Sequence, residues 1–250
     1  MNDFVQPQRM HEAFGDDFVL DLSTLRGIGC IRDFAQRSAW LMISVKNPAF
    51  SNRLVDGFCR LVGEIGFRQG FVTIVDTPYM ANILANRHDP VQAEAEVVKL
   101  QRISAEQQAR CRKVLRRHSA CCIALRSWAE LDQGMPQWLR AEVQAAFQAP
   151  TRFRADLLAR TRLVVPEAVP DERLPQFAQF LVEELPVLLG LYYLEPDSIV
   201  DVYPGENLAL VWNVERGLYA DELPGITALA RASDGLAYVD FRERAKAGLA

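Results

Sequence analysis

Two short apolar runs separated by one amphipathic segment constrain the fold of this chain more than any other feature. Residues 39–45 and 71–75 are predicted to be buried strands. Between them, apolar residues recur at helical spacing up to Gly66, a residue type that often ends a helix. Two strands joined by one helix predict a βαβ unit, whose strands are parallel.

The rest of the chain continues this alternation and predicts an α/β domain. We expect further strands at residues 120–125 and 198–203. Helices are predicted near residues 79–103 (interrupted at 89–90), 136–148, 151–162, 172–190 and 208–212. Ser104 and Gln107 have the spacing of a capping box, which predicts a separate helix from there to about His118.

Composition favours one compact domain and excludes several classes of protein. The chain has 250 residues, and half of them are apolar. The five cysteines lack a C-x-x-C pair and the three histidines lack paired spacing, so we expect no disulfide framework and no metal site. Residues 1–17 are polar and no apolar run approaches the ~18 residues that cross a bilayer. We therefore predict a cytoplasmic protein with no membrane partner.

Positive charge is concentrated in one predicted helical stretch of an acidic chain. The net charge is −4, yet residues 99–117 carry +6. Only one acidic residue, Glu106, accompanies the basic residues Lys99, Arg102, Arg110, Arg112, Lys113, Arg116 and Arg117. Such a helix is either a solvated face or a binding surface for a polyanion. The scarcity of compensating acids favours the binding surface, and its polyanion could be RNA, whose phosphates several of these cations would neutralise at once. The negative net charge argues against general nucleic-acid binding, so we expect no DNA partner.

Three polar residues fall at positions where parallel sheets bind ligands or within otherwise apolar turns. Ser44 and Tyr203 lie where predicted strands give way to loops, and ligands bind outside the carboxyl ends of such strands. Glu184 lies in an apolar turn, on the helix face of Phe180. Each has an ordinary structural alternative: a strand end, a solvent-facing residue or a backbone contact. Asp201 shares a strand face with Tyr203, which suggests a cationic or polar substrate side chain or a structural pairing with an arginine.

Taken in order, Ser44 with Asn47, Glu184 followed by Leu-Pro, and Tyr203 followed by Pro resemble the tRNA-dependent cyclodipeptide synthases. The likeness runs from about residue 38 to residue 224. It implies a single Rossmann-like catalytic domain at residues 38–250, similar to that of class I tyrosyl- and tryptophanyl-tRNA synthetases. Residues 1–37 form an N-terminal segment of unassigned role, and a monomer is favoured.

The resemblance also implies a reaction and its residues. Ser44 corresponds to a nucleophile that accepts an aminoacyl group from one aminoacyl-tRNA, in a ping-pong reaction that ends in a diketopiperazine. Glu184 corresponds to the glutamate near the substrate amine, and Tyr203 to a tyrosine used in proton transfer. Residues implied at the substrate site are Trp40, Met42, Asn47, Asp76, Phe180, Val187 and Asp201. No cofactor is expected, because the chain lacks the motifs of ATP-dependent amino-acid activation.

The chain departs from the family pattern at named positions. Met42 replaces a glycine two residues before the serine, and Phe180 replaces a tyrosine four residues before the glutamate. Asn47 together with Tyr203-Pro204 mixes two subgroups, of which the Tyr-Pro type fits best. The alternative is a non-catalytic RNA-binding relative of the same fold. A serine hydrolase is a weaker hypothesis, because the chain lacks a G-x-S-x-G elbow.

Overall fold

Seven strands form one sheet in the part of the chain that the computed structural model describes, which is residues 11–14, 18–21, 31–45, 47, 50–86, 89–194, 199–204, 209–233 and 237–243. The strands are β1 (His11–Phe14), β2 (Phe18–Asp21), β3 (Ser38–Ser44), β4 (Gln69–Val75), β5 (Ile123–Ser127), β6 (Ile199–Tyr203) and β7 (Ala237–Glu243). The α-helices are α1 (Asn52–Ile65), α2 (Thr77–Asn86), α3 (Pro90–Arg117), α4 (Trp128–Gly134), α5 (Gln137–Gln148), α6 (Arg152–Arg162), α7 (Leu174–Tyr193), α8 (Ala209–Glu215) and α9 (Pro224–Ala232).

The sheet is mostly parallel, as predicted. Its strand order is β1-β2-β7-β6-β3-β4-β5. All neighbours from β7 to β5 run parallel, whereas β1 and β2 form an antiparallel extension at the β7 edge. The α/β, Rossmann-like fold class is therefore confirmed. The strands β1 and β2 belong to the N-terminal segment to which the sequence assigned no role.

The βαβ unit predicted from the first apolar runs is β3, α1 and β4. Ser51 caps α1, because its hydroxyl accepts a hydrogen bond from the Leu54 amide at 3.0 Å. Gly66 ends the helix with φ = 78°, a left-handed conformation that a residue without a Cβ adopts readily. β3 and β4 pair in parallel along their whole length. These local signals fix the position of the Ser44 end of β3.

Side chains of β3 alternate between two hydrophobic cores. Leu41 and Ile43 pack on one face of the sheet, in the core that includes buried residues of α1 and α3. Trp40 and Met42 pack on the other face, in the core shared with α5, α6 and α7. The period-two alternation also places Ser44 on the face of Met42, at the open end of that second core.

The strand order reverses between β3 and β6. The chain proceeds from β3 outward to β4 and β5, then returns to β6 on the other side of β3. Pairing between β3 and β6 runs from Ser38 with Ile199 to Trp40 with Asp201. The carboxyl ends of both strands extend beyond the last pair. Open α/β sheets bind ligands at such a reversal point, so the topology alone indicates where a site would lie.

Several predicted element boundaries are wrong. α3 is one continuous helix from Pro90, capped by Asp89, so Ser104 and Gln107 do not begin a new helix. Ser104 is buried inside α3 and donates a hydrogen bond to Asp76 Oδ2 at 2.6 Å. The hydroxyl of Ser104, which resembles a helix cap in the sequence, therefore makes a tertiary contact with Asp76 instead. The strand predicted at residues 120–125 is β5, which begins only at Ile123. Neither α4 nor β7 was predicted.

The most apolar of the long helices is α7, which carries Glu184. From Leu185 to Tyr193 its residues are all buried in the second core. Among the residues that the structure describes, no helix is both long and apolar enough to span a membrane.

Candidate active site

The carboxyl ends of β3 and β6 border a cavity of about 540 Å³. Its walls come mainly from α2, the end of α6 with the segment after it, and α7. The predicted catalytic residues Ser44, Glu184 and Tyr203 all line it. Of the residues implied at the substrate site, Met42, Asn47, Phe180 and Asp201 also line it. The structure therefore brings seven predicted residues from three distant parts of the sequence into one cavity.

Ser44 is hydrogen-bonded to a residue that the sequence analysis did not single out. Its Oγ lies 2.5 Å from the phenolic oxygen of Tyr79, and either oxygen can donate. Tyr79 belongs to the first turn of α2, which follows directly on the carboxyl end of β4. Since Ser44 pairs with Val75 at that same end, the strand register brings the two hydroxyls together. Burial raises the pKa of Tyr79, and nearby Glu184 adds to the shift.

Glu184 projects from α7 into the cavity. Burial raises the pKa of its carboxyl from 4.5 to about 8, with a further contribution from the Asp201 carboxylate. A carboxyl with such a pKa exchanges its proton near neutral pH, which suits a general base. The desolvation that shifts the pKa also strengthens its attraction to a bound ammonium group.

Tyr203 stands at the end of β6, between polar and aromatic neighbours. Burial, with a further contribution from Glu184, raises the pKa of its phenol to about 12, and a hydrogen bond with the Asn47 side chain opposes the shift. The Phe50 ring packs edge-on against Tyr203, with centroids 5.4 Å apart. Tyr203 therefore keeps its proton at neutral pH and can donate or relay it to a neighbouring oxygen or nitrogen.

Asp201 lies on the same strand face as Tyr203, as predicted from the period of two, and is deeply buried. Its Oδ2 accepts a hydrogen bond from the Tyr192 hydroxyl at 2.7 Å. Burial raises the pKa of Asp201 to about 7, while that hydrogen bond lowers it. Asp201 and Glu184 thus form a pair of desolvated carboxyls within the same cavity.

The two departures from the family pattern leave the cavity open. Met42 is 4 % exposed and lines the cavity without closing it. The Phe180 ring packs against Tyr79, with ring centroids 4.6 Å apart and an interplanar angle of 46°. The phenol absent at Phe180 is therefore present on the adjacent side chain of α2.

Three residues implied at the substrate site lie outside the cavity lining. Trp40 is buried below Met42, and its indole nitrogen donates to the Thr73 hydroxyl at 3.0 Å. Val187 is fully buried in the core of α7. Asp76 accepts hydrogen bonds from the Thr77 amide at 2.8 Å and from Ser104, which ties the end of β4 to α2 and α3. These contacts give all three residues structural roles.

The basic residues of α3 are all exposed, as a binding surface requires. They are Lys99, Arg102, Arg110, Arg112, Lys113, Arg116 and Arg117. Two of them form ion pairs: Arg102 with Glu106 at 3.9 Å and Arg117 with Asp56 at 3.3 Å. The buried side of α3 belongs to the first core, so the helix covers the sheet face opposite the cavity.

Tyr79, Tyr192 and Arg160 are among the cavity-lining residues that sequence reasoning missed. The only sequence signal for Tyr79 was its hydroxyl three residues after Asp76, close to the carboxyl end of β4. Tyr192 and Arg160 carried no local signal, because each is one polar residue in an ordinary helical pattern. No group of three or more His, Cys, Asp or Glu side chains within the described ranges has an arrangement that could hold a metal ion.

No protein-family model matches the chain, and no curated protein matches it. Several solved structures match the chain in fold. A CDPS (cyclodipeptide synthase) from Staphylococcus haemolyticus is 12% identical with a TM-score of 0.67, and the match covers 91% of this chain and all of that one (100%). A CDPS from Fluoribacter dumoffii is 17% identical with a TM-score of 0.65, and the match covers 86% of this chain and 94% of that one.

A third match is a Mycobacterium tuberculosis protein, whose structure is said to demonstrate that cyclodipeptide synthetases are related to type I tRNA synthetases. It is 14% identical, with a TM-score of 0.64, and the match covers 97% of this chain and 99% of that one. At these identities the likeness is one of fold. The chain thus has the Rossmann-like fold of solved cyclodipeptide synthases, and its cavity lies at the strand-order reversal of that fold.

Proposed function

We propose that this chain is a tRNA-dependent cyclodipeptide synthase, an aminoacyltransferase that joins two amino acids delivered by aminoacyl-tRNAs. One observation carries the proposal: Ser44, at the carboxyl end of β3, shares a cavity with Glu184 and Tyr203, and its hydroxyl is held by Tyr79. The fold shared with cyclodipeptide synthases supports it.

In the first half-reaction, Ser44 Oγ attacks the ester carbonyl carbon of an aminoacyl-tRNA. The bond from that carbon to the terminal ribose oxygen breaks, the proton of Ser44 passes to the released ribose hydroxyl, and an aminoacyl-serine ester remains. The ester is already activated, so the site must chiefly position the two groups and stabilise the oxyanion. Glu184 binds the α-amino group of the aminoacyl moiety through its desolvated carboxyl.

In the second half-reaction, the α-amine on the enzyme attacks the ester of a second aminoacyl-tRNA. Glu184 accepts the proton that this amine loses and passes it to the ribose oxygen of the second tRNA, which leaves as a hydroxyl, and a dipeptidyl-serine ester remains. The free amine of the dipeptide then attacks the serine ester, which releases the diketopiperazine and restores the Ser44 hydroxyl. Tyr203 relays a proton in this cyclisation, since its phenol remains protonated at neutral pH.

Tyr79 positions the Ser44 oxygen in both half-reactions. Before acylation either hydroxyl donates the hydrogen bond between them. After acylation Ser44 Oγ has no proton, so Tyr79 alone is able to donate. A donor at that oxygen stabilises it as the leaving group during cyclisation. The phenol on α2 thereby supplies a hydroxyl on the side of the cavity where Phe180 has none.

The same proposal covers the tRNA and the subgroup. The exposed cations of α3 bind the phosphates of the aminoacyl-tRNA, and a reaction that consumes aminoacyl-tRNAs takes place in the cytoplasm. Tyr203 followed by Pro204 favours the Tyr-Pro subgroup, although Asn47, whose side chain is hydrogen-bonded to Tyr203, belongs to the pattern of the other subgroup.

The test is to incubate the protein with a mixture of all aminoacyl-tRNAs and to analyse the products by mass spectrometry. We expect one or a few diketopiperazines, together with an acid-stable aminoacyl adduct on the peptide that contains Ser44. Ser119→Ala, a change at an exposed serine outside the cavity lining, should retain both. tRNA binding without product or adduct would instead indicate a non-catalytic RNA-binding relative.

A further inference from the structure

Oδ1 of Asp201 is a fully buried carboxylate oxygen that has no hydrogen-bond partner among the described residues. Asp201 is 3 % exposed and lines the cavity, and its Oδ1 is buried without a donor among the described residues. Its other oxygen is occupied by Tyr192. A buried polar atom left without a partner is costly, by about 1 to 3 kcal/mol and more for a charged group. A buried polar atom without a partner calls for a physical explanation, and inside a ligand-sized cavity a donor on the ligand is one.

No cation among the described residues is paired with this carboxylate. Arg160 is the one arginine or lysine among the residues that line it, and no ion pair joins Arg160 to Asp201 or Glu184. The ion pair with a neighbouring arginine that the sequence offered as an alternative is therefore not formed within the described part of the chain. Asp201 and Glu184 instead face each other's charge, which a cationic ligand would relieve.

The number of donors on the substrate decides what Asp201 recognises. Every aminoacyl group brings one α-amine, and the proposed reaction directs that amine to Glu184. Asp201 Oδ1 then needs a second donor, which has to come from the amino-acid side chain. We propose that Asp201 selects an aminoacyl group with a basic side chain, lysine or arginine, for one of the two positions of the product. This inference rests on the proposed function.

The depth of Asp201 limits the length of that side chain. Asp201 pairs with Trp40, four residues before Ser44, and strands rise ~3.3 Å per residue, so it lies ~13 Å deeper along the sheet. Only a long side chain on an aminoacyl group at Ser44 approaches this depth. The apolar walls, which include Met42, Leu181 and Leu188, would cover the alkyl stem of lysine or arginine while the charged end reaches the carboxylate.

A binding experiment tests the inference without tRNA or turnover. Lysine methyl ester and norleucine methyl ester share an α-amine and an alkyl chain and differ by the terminal ammonium. We expect calorimetry on the wild-type protein to show about tenfold or greater preference for the lysine ester, and Asp201→Asn to reduce it to about twofold or less. Asn keeps the shape of the side chain and an acceptor for Tyr192.

Asp240→Asn is the matched control, because Asp240 is a buried aspartate on the adjacent strand β7, is paired with Arg242 and does not line the cavity. It should leave the preference unchanged, and thermal unfolding would show that both variants are folded. Equal binding of the two esters, no binding of the lysine ester at millimolar concentration, or a preference that survives Asp201→Asn would each overturn the inference.

Product analysis separates this inference from the proposed function. Diketopiperazines that contain lysine or arginine, lost in favour of neutral ones in Asp201→Asn, would support both. Diketopiperazines made only from neutral amino acids would keep the proposed function and reject the basic specificity. If the ester preference were present but no aminoacyl-tRNA gave a product, the basic subsite would stand and the proposed reaction would fail.

Discussion

The cavity and the basic surface of α3 hold their polar groups in opposite ways. In the cavity, Ser44 is fixed by Tyr79, Tyr203 by Asn47 and Asp201 by Tyr192, all within one core of the protein. On α3, by contrast, seven cations project from a single exposed helix face and its flanks, and only Arg102 and Arg117 among them have ion-pair partners within the described ranges.

This difference predicts how strongly each region responds to a mutation. Groups that are desolvated and locked in place interact strongly, so the loss of one is large and specific. Exposed cations act together through a screened field, so the loss of a few is small and depends on salt. The two regions also lie on opposite faces of the sheet, which makes their effects separable.

The largest effect is expected at the nucleophile. Ser44→Ala removes the oxygen that carries the acyl group in the proposed reaction, so cyclodipeptide formation should fall by at least about 1000-fold. tRNA binding should remain within about twofold, because phosphate contacts dominate its affinity. Product yield by mass spectrometry and tRNA affinity by filter binding measure the two quantities. A Ser44→Ala protein that still made diketopiperazine would move the nucleophile elsewhere.

A smaller loss is expected from Tyr79→Phe. The ring and its packing against Phe180 remain, while the hydrogen bond to Ser44 is lost. We expect kcat to fall about tenfold and KM to change little, because the bond matters most when Ser44 Oγ gains or loses the acyl group. A merely structural role for Tyr79 would lower thermal stability and leave kcat per folded molecule unchanged.

The carboxyl pair should make the stability of the protein depend on pH. The folded-state pKa values of Glu184, about 8, and Asp201, about 7, lie above the ordinary values of 4.5 and 3.8. At pH values between the ordinary and the raised pKa of each carboxyl, the folded state binds more protons than the unfolded state. The free energy of unfolding therefore falls as pH rises through this range. Glu184→Gln should reduce the loss of stability between pH 5 and pH 8.5 by about 1 to 3 kcal/mol.

Glu94→Gln provides the comparison for that measurement, because Glu94 is an exposed carboxylate of α3. Denaturant unfolding at several pH values should give wild-type behaviour for this variant. An equal pH dependence in the wild type and in Glu184→Gln would show that the carboxyl of Glu184 is better solvated than the cavity geometry indicates.

Local patterns predicted the fold well where neighbouring residues alone determine an element. The apolar run of β3, the amphipathic face of α1 and the Gly66 terminus are each determined by residues within a few positions of one another. They failed where a distant contact decided the outcome. Ser104 has the sequence pattern of a helix cap but donates its hydrogen bond to Asp76. β7 was not predicted, because it pairs with β2 and β6, which lie far from it in the sequence or on a separate element.

The candidate site divides in the same way. Ser44 and Tyr203 were predicted because strand ends can be located in the sequence, and Glu184 because a carboxylate is conspicuous in an apolar turn. Tyr79 and Tyr192 were not, since a tyrosine in a helix carries no sign of its partner on another element. Trp40 and Val187 fell in the expected elements but lie beneath the cavity lining, a depth that periodicity does not encode.

The smallest effect is expected on α3. Charge reversal at Arg110, Lys113 and Arg117 should weaken tRNA binding about fivefold at moderate salt and flatten the dependence of affinity on salt concentration. The expectation is modest because a helix rises ~1.5 Å per residue, which places Arg117 ~20 Å beyond Ser104, the residue that marks the edge of the sheet near the cavity. Arg117 is also partly neutralised by Asp56.

The control for this prediction changes the net charge by the same amount away from α3. It reverses three exposed arginines on other parts of the described surface: Arg68, Arg216 and Arg231. If α3 is the tRNA surface, this control should lower affinity less and keep a steeper salt dependence than the α3 variant. Equal effects of the two triple variants would mean that tRNA responds only to net charge, and α3 would then be a solvated face, whereas the cavity would keep its specific chemistry.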